Sequence, residues 1–191
     1  MSARPIATTR SAAGMPTGRL AVWWIIGSEI VIFGGLLGSY VMYRLAHDAW
    51  SEQAAHTNTW LGATNTLVLL TSSLFAVLGH KAAEEGDGPK AAKMIWLTFA
   101  GGATFLMIKA YEWTMEITHG FTITASTFWS FYYTAAGLHA THVLAGMIIM
   151  AIVAVAAAKN QELQRVELIG LYWHFVDVVW IFLFPLLYIA K

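Results

Sequence analysis

Four sets of ionisable side chains fall inside long apolar stretches of this sequence, and each has a spacing that could do chemistry. Glu29 has Ile25, Ile26, Ile32 and Phe33 at one helical turn's distance. A helix therefore offers it no partner, and it must find a donor on another helix or keep a proton. His139 and His142 lie three apart on one helical face, as imidazoles that ligate a metal or a haem iron can. Two histidines on one helix do not complete a metal site, and a haem iron takes axial ligands from opposite sides, so interhelical hydrogen bonding is the better reading. His174 and Asp177 also share a face; they read either as a proton-sharing pair or as a hydrogen-bonded lock between helices. Lys109, Glu112 and Glu116 follow at spacings of three and four. They read as an intrahelical ladder of charges near the outer headgroups that largely neutralise one another, in preference to a transport role.

These residues need elements that hold them at membrane depth. The 191-residue chain is 58% hydrophobic and 12% charged, whereas a soluble domain is typically about 25% charged. Lipid must then solvate most of the surface. Apolar runs over residues 20–43, 60–79, 94–117, 128–158 and 168–189 each approach or exceed the ~20 residues a membrane-crossing helix needs. None alternates as a barrel strand would. The expected fold is all-α: a polytopic membrane protein built as a bundle of five transmembrane helices. Residues 1–19 read as a cytoplasmic N-terminal tail and residues 20–191 as the five-helix transmembrane domain. In this frame Glu29 lies about 14 Å into the first span, and His174 and Asp177 about 9–14 Å into the fifth. Gly34 and Gly38, one turn apart, suit close approach of another helix, and Pro185 should bend the last span by freeing the carbonyl of Ile181.

Lysine and arginine are distributed unevenly across the connections. The tail and the second and fourth loops carry three, three and two, against only Arg44 and Lys191 on the other side. The excess places the N-terminus in the cytoplasm and the C-terminus outside. Net charge is zero, so no basic face exists for nucleic acid. The absence of cysteine excludes disulfides and thiolate metal sites. No inverted repeat is visible, which disfavours an independent proton-coupled transporter.

The same residues carry a resemblance to a known family. The stretch Tyr172-Trp173-His174-Phe175-Val176-Asp177-Val178-Val179-Trp180 resembles the last-helix signature of subunit III of haem–copper oxidases. Gly137-Leu138-His139-Ala140-Thr141-His142-Val143 resembles the family's paired-histidine stretch, and Tyr111-Glu112-Trp113 with Glu116 its acidic-aromatic segment. Ser28-Glu29-Ile30 with Phe33 looks like the segment that holds its intramembrane glutamate, and Asn65-Thr66-Leu67 with Ser72-Ser73 like the opening of its next helix. The motifs occur in the family's order from about residue 20 to the end.

The resemblance implies a non-catalytic accessory subunit that binds no haem, copper or other metal itself. Haem and copper would belong to the partner, catalytic subunit I, where oxygen is reduced. It further implies support of proton uptake, stability of the complex during turnover, and phospholipid held in a cleft; family members with seven helices build one wall of that cleft from two helices that have no counterpart here. A bacterial inner membrane is the expected location, with a cytochrome c oxidase as the expected complex. The alternatives are a quinol oxidase, some of which carry aspartate where Glu29 stands, and the subunit-III-like protein associated with nitric oxide reductase. The run from Glu29 to Gly34 and the phrase Phe184-Pro185-Leu186-Leu187-Tyr188 are similar to that last branch.

Overall fold

The computed structural model describes residues 17–47 and 50–190. Five helices among them are long and apolar enough to cross a membrane. In chain order the elements are α1 (Thr17–Ala46), a short α2 (Trp50–Ala54), α3 (Thr59–Glu84), α4 (Gly88–Thr118), α5 (Thr127–Ala157) and α6 (Gln164–Phe184), which runs into a π-helical turn (Pro185–Ile189). Helices α1, α3 and α4 extend beyond their apolar runs at both ends, and polar caps set where α3, α4 and α5 begin. Asn58 accepts from Trp60 N and Leu61 N at the start of α3. Asp87 accepts from Lys90 N at the start of α4, and Ser126 from Trp129 N at the start of α5. These side chains satisfy backbone donors that a first turn leaves free. Most of the tail expected over residues 1–19 lies outside the described residues, as do Asp48 and Lys191; Thr17, Gly18 and Arg19 belong to α1.

Helices α3, α4, α5 and α6 pack in a closed ring, α3 on α4, α4 on α5, α5 on α6 and α6 back on α3. The core inside this ring is aromatic, with Phe105, Trp129, Tyr132, Trp173, Trp180 and Tyr188 fully buried. Helix α1 leans on α6 and α5 from outside the ring. It buries Gly18, Ile26, Phe33 and Tyr40, which recur every seven or eight residues and so form a single narrow seam. Most of the rest of α1, including Trp24, Val31 and Leu45, is exposed.

Sequence pattern gave no sign of α2. Trp50 anchors it, buried edge-on against Tyr40 and Phe128, with its indole N–H donating to the Tyr40 hydroxyl. Tyr40 in turn donates to the Leu186 carbonyl at 2.6 Å. Pro185 opens a turn closed by an Ala190 N–H to Pro185 carbonyl bond, five residues apart. Hydroxyls from neighbouring elements cover the carbonyls of that wide turn: Tyr40 on Leu186, Thr57 on Leu187 and Thr59 on Tyr188. In an apolar surround such carbonyls need internal partners.

Among the described residues, nothing outside the local helix backbone comes within 4 Å of a Cβ built at Gly34 or Gly38, so both face open space. Gly88 is the opposite case. A Cβ there would strike the Ala157 carbonyl and Asn160, which holds the Gly88 N–H at 2.9 Å. The obstacle is backbone and cannot rotate away. Gly88→Ala is therefore expected to lower the midpoint of heat-induced unfolding in detergent by the equivalent of about 1–3 kcal/mol, while Gly34→Ala leaves it unchanged. Equal midpoints for both variants would contradict this packing.

Candidate functional site

Each expected polar residue lies on a seam between helices, though not always beside its expected partner. Glu29 on α1 meets His142 on α5, with Oε2 and Nε2 3.0 Å apart. The contact is ionic in distance but off the axis of a straight hydrogen bond. His142 Nδ1 lies 2.8 Å from the Leu138 carbonyl. A carbonyl can only accept, so Nδ1 carries a hydrogen and Nε2 faces the carboxyl group. One proton must then serve the Glu29–His142 pair, either as imidazolium beside carboxylate or as neutral imidazole beside carboxylic acid. Phe33, one turn along α1, closes over the imidazole edge-on at 5.4 Å. His139, one turn away on α5, sits apart: it is fully buried between Phe105 and Trp180, and neither ring nitrogen has a hydrogen-bond partner.

His174 and Asp177 do not bond each other directly. The Ser73 hydroxyl on α3 is 2.6 Å from His174 Nδ1 and also lies beside the Asp177 carboxylate. Both Asp177 oxygens lack a partner in hydrogen-bond geometry although the residue is buried. One turn back, Trp173 donates to Ser72; one turn on, Trp180 donates to Thr66, both at 3.0 Å. The α3–α6 seam is thus held by a column of side-chain hydrogen bonds, the usual glue where lipid removes the hydrophobic drive for helix pairing.

The third group lies at the α2 end of the ring. Lys109 and Glu112 are each only 1% exposed and Glu116 6%. The set is therefore inside the bundle and not on its outer surface. Lys109 Nζ reaches Glu112 Oε2 at 2.9 Å, the Tyr132 hydroxyl at 3.0 Å and the Tyr188 hydroxyl at 2.6 Å. An ammonium has three donors, and all three are used. The tyrosines pass their own protons on, Tyr188 to Glu112 Oε2 and Tyr132 to Glu116 Oε1. Glu116 joins the ladder through Tyr132 and has no direct bond to Lys109. The rings of Trp113, Tyr132, Trp180 and Tyr188 lie 4.9–5.6 Å from the ammonium, close enough for cation–π attraction.

Tyr132 and Tyr188 were not singled out from sequence. Tyrosines near span ends read as interface anchors, and only the fold aims these two inward. Among the described residues, no three of His, Cys, Asp and Glu are grouped as ligands for a metal ion. What the arrangement can do is hold protons at fixed places and lock helices together.

An all-α, multi-pass membrane bundle with ionisable residues on its seams is the class that this geometry defines. The family model for cytochrome c oxidase subunit III matches residues 8–191. The chain is similar to cytochrome c oxidase subunit 3 of Corynebacterium diphtheriae, 35% identical over 173 residues that cover 87% of this chain and 84% of the relative. It is also similar to the proteins of that name from Thermostichus vulcanus, 34% identical over 85% of this chain and 82% of the relative, and from Bacillus subtilis, 31% identical over 89% and 84%. The chain belongs to the cytochrome c oxidase subunit III family, and so is a subunit III of a haem–copper oxidase.

Lys109→Met leaves Glu112 buried without its counter-charge and should destabilise the detergent-solubilised fold by about 3–5 kcal/mol. Adding Glu112→Gln should recover a large part of that loss. A double variant no more stable than the single one would show that the ion pair is not what Lys109 supplies.

Proposed function

We propose that the chain is the non-catalytic accessory subunit of a bacterial terminal oxidase of the cytochrome c type, packed on a catalytic subunit I that carries haem and copper. In this reading it lies in the bacterial inner membrane with its N-terminus in the cytoplasm, as the excess of lysine and arginine on that side supports. Its part in the complex is to support proton uptake and to prolong activity under turnover.

The observation that carries the reading is the Glu29–His142 pair. It sits near the middle of α1, the spanning helix with the smallest share of its span buried within this chain. Both side chains remain partly exposed, at 15% and 18%. A shared proton facing hydrocarbon is costly, so a covering surface from a partner or a bound lipid gains by completing that seam. The names of the relatives, all cytochrome c oxidase subunit 3, favour an oxygen-reducing assembly over one with nitric oxide reductase.

A tagged chain should co-purify with a haem-bearing subunit. In the purified complex, Glu29→Gln should leave the initial rate of oxygen consumption near that of the parent and shorten the time over which the rate is sustained. It should also abolish labelling at this position by a hydrophobic carbodiimide. A chain that never brings down haem, or a variant unchanged in both sustained turnover and labelling, would refute the assignment.

A further inference from the structure

The Lys109 cluster does not balance its own charge. Lys109, as ammonium, offsets one of the two carboxylates, and Tyr132, Tyr133 and Tyr188 bring hydroxyls but no charge. His139, a buried histidine of α5, is turned into the Phe105–Trp180 stack. Two atoms have no committed donor. Glu112 Oε1 is buried and without a partner. Glu116 Oε2 lies 3.4 Å from Tyr133, whose hydroxyl proton goes instead to the Phe121 carbonyl at 2.8 Å.

Both carboxylates line a cleft of about 320 Å³ at the α2 end of the bundle, whose mouth carries His56, Asn58, Tyr111 and His119. His56 and His119 are exposed, and His119 Nδ1 lies 2.6 Å from the Met115 carbonyl. The cleft thus joins the buried acidic pair to the surface on the side of the 118–127 connection. An isolated buried negative charge beside a bare carboxylate oxygen is expensive, and a small cation that enters by the cleft removes that cost. The described residues do not offer a three-ligand metal site.

We propose that Glu112 and Glu116 form a proton-binding site that holds one proton between them and exchanges it with the aqueous phase through this cleft. Binding forms one O–H bond, with the proton taken from hydronium and water released, and it converts one carboxylate to a carboxylic acid. The cluster is then neutral: one ammonium, one carboxylate, one acid. On Glu116 Oε2 the new O–H would donate to the Tyr133 oxygen; on Glu112 Oε1 it would point into the cleft. The proton belongs to the pair rather than to either residue. Along α5 this site, at Tyr132, lies about 15 Å from His142, and its existence does not depend on the accessory role proposed for the Glu29–His142 seam.

The test is an infrared difference spectrum of the purified complex at neutral pH, parent minus Glu116→Gln. Removal of one carboxylate leaves Lys109 and Glu112 balanced, with no need of a proton. The expected result is loss of one carboxylic-acid equivalent, through a band that shifts within seconds of transfer to heavy water. No acid band in the difference, or a band that does not shift, would overturn the proposal. Glu112→Gln is the second variant and should lose the same band if the pair acts as a unit; its retention there would refute sharing. Titration with zinc or calcium ions supplies the remaining arm. Stoichiometric binding by the parent that Glu116→Gln abolishes would mean that a metal ion, and not a proton, neutralises the pair.

Discussion

Lys109 carries its ammonium into the bundle interior, where a charge on a membrane helix costs about 2.5–3.5 kcal/mol or more, and it is tolerated because three acceptors converge on it. The acceptors come from three elements, and each must be placed by something else. Glu112 is one turn along the same helix. Tyr132 lies in the second turn of α5, whose start is set by the Ser126 cap. Tyr188 reaches the ammonium from the wide turn that begins at Pro185. That turn is itself held by hydroxyls from Tyr40, Thr57 and Thr59. One cation thus fixes the register of α4 against α5 and the end of α6, and through Tyr40 it connects to α1 and α2.

The remaining seams follow the same logic. Apolar side chains gain little by pairing with each other when lipid tails are the alternative, so close packing and polar contacts decide which helix faces which. Ser72, Ser73 and Thr66 on α3 meet Trp173, His174 and Trp180 from α6 in side-chain hydrogen bonds. Small residues let the backbones come near enough: Gly102 leaves room for the Trp173 ring, and Gly101 for Ser72. The α1–α5 seam has fewer such contacts, and there the Glu29–His142 pair is the main polar tie.

Helix number was legible because an apolar run of fixed length has few other uses. The Lys109–Glu112 pair was legible too, since a spacing of three fixes distance on a helix. Glu116 is seven residues from Lys109, about 10.5 Å along the axis, which is why a tyrosine hydroxyl has to span the gap. Partners across seams were not legible. Glu29 visibly lacked a donor in its own helix, but a pattern on one helix cannot say which neighbour faces it, so His142 stood with His139 as an interhelical candidate. Nor could spacing show that Ser73 would stand between His174 and Asp177. Helix α2 was hidden for a different reason: five residues are too few to show a period, and tertiary packing of Trp50 holds them in place.

The Glu29–His142 pair and the Lys109 cluster sit on different seams. Between the Glu29–His142 pair and the Lys109 cluster, α5 carries His139, whose ring is packed against Phe105 and Trp180 with both nitrogens unpartnered. A proton relay needs a donor and an acceptor at every step, and here the chain of hydrogen bonds stops on both sides of one imidazole. The aromatic layer around it leaves the charge balance of each group a local matter.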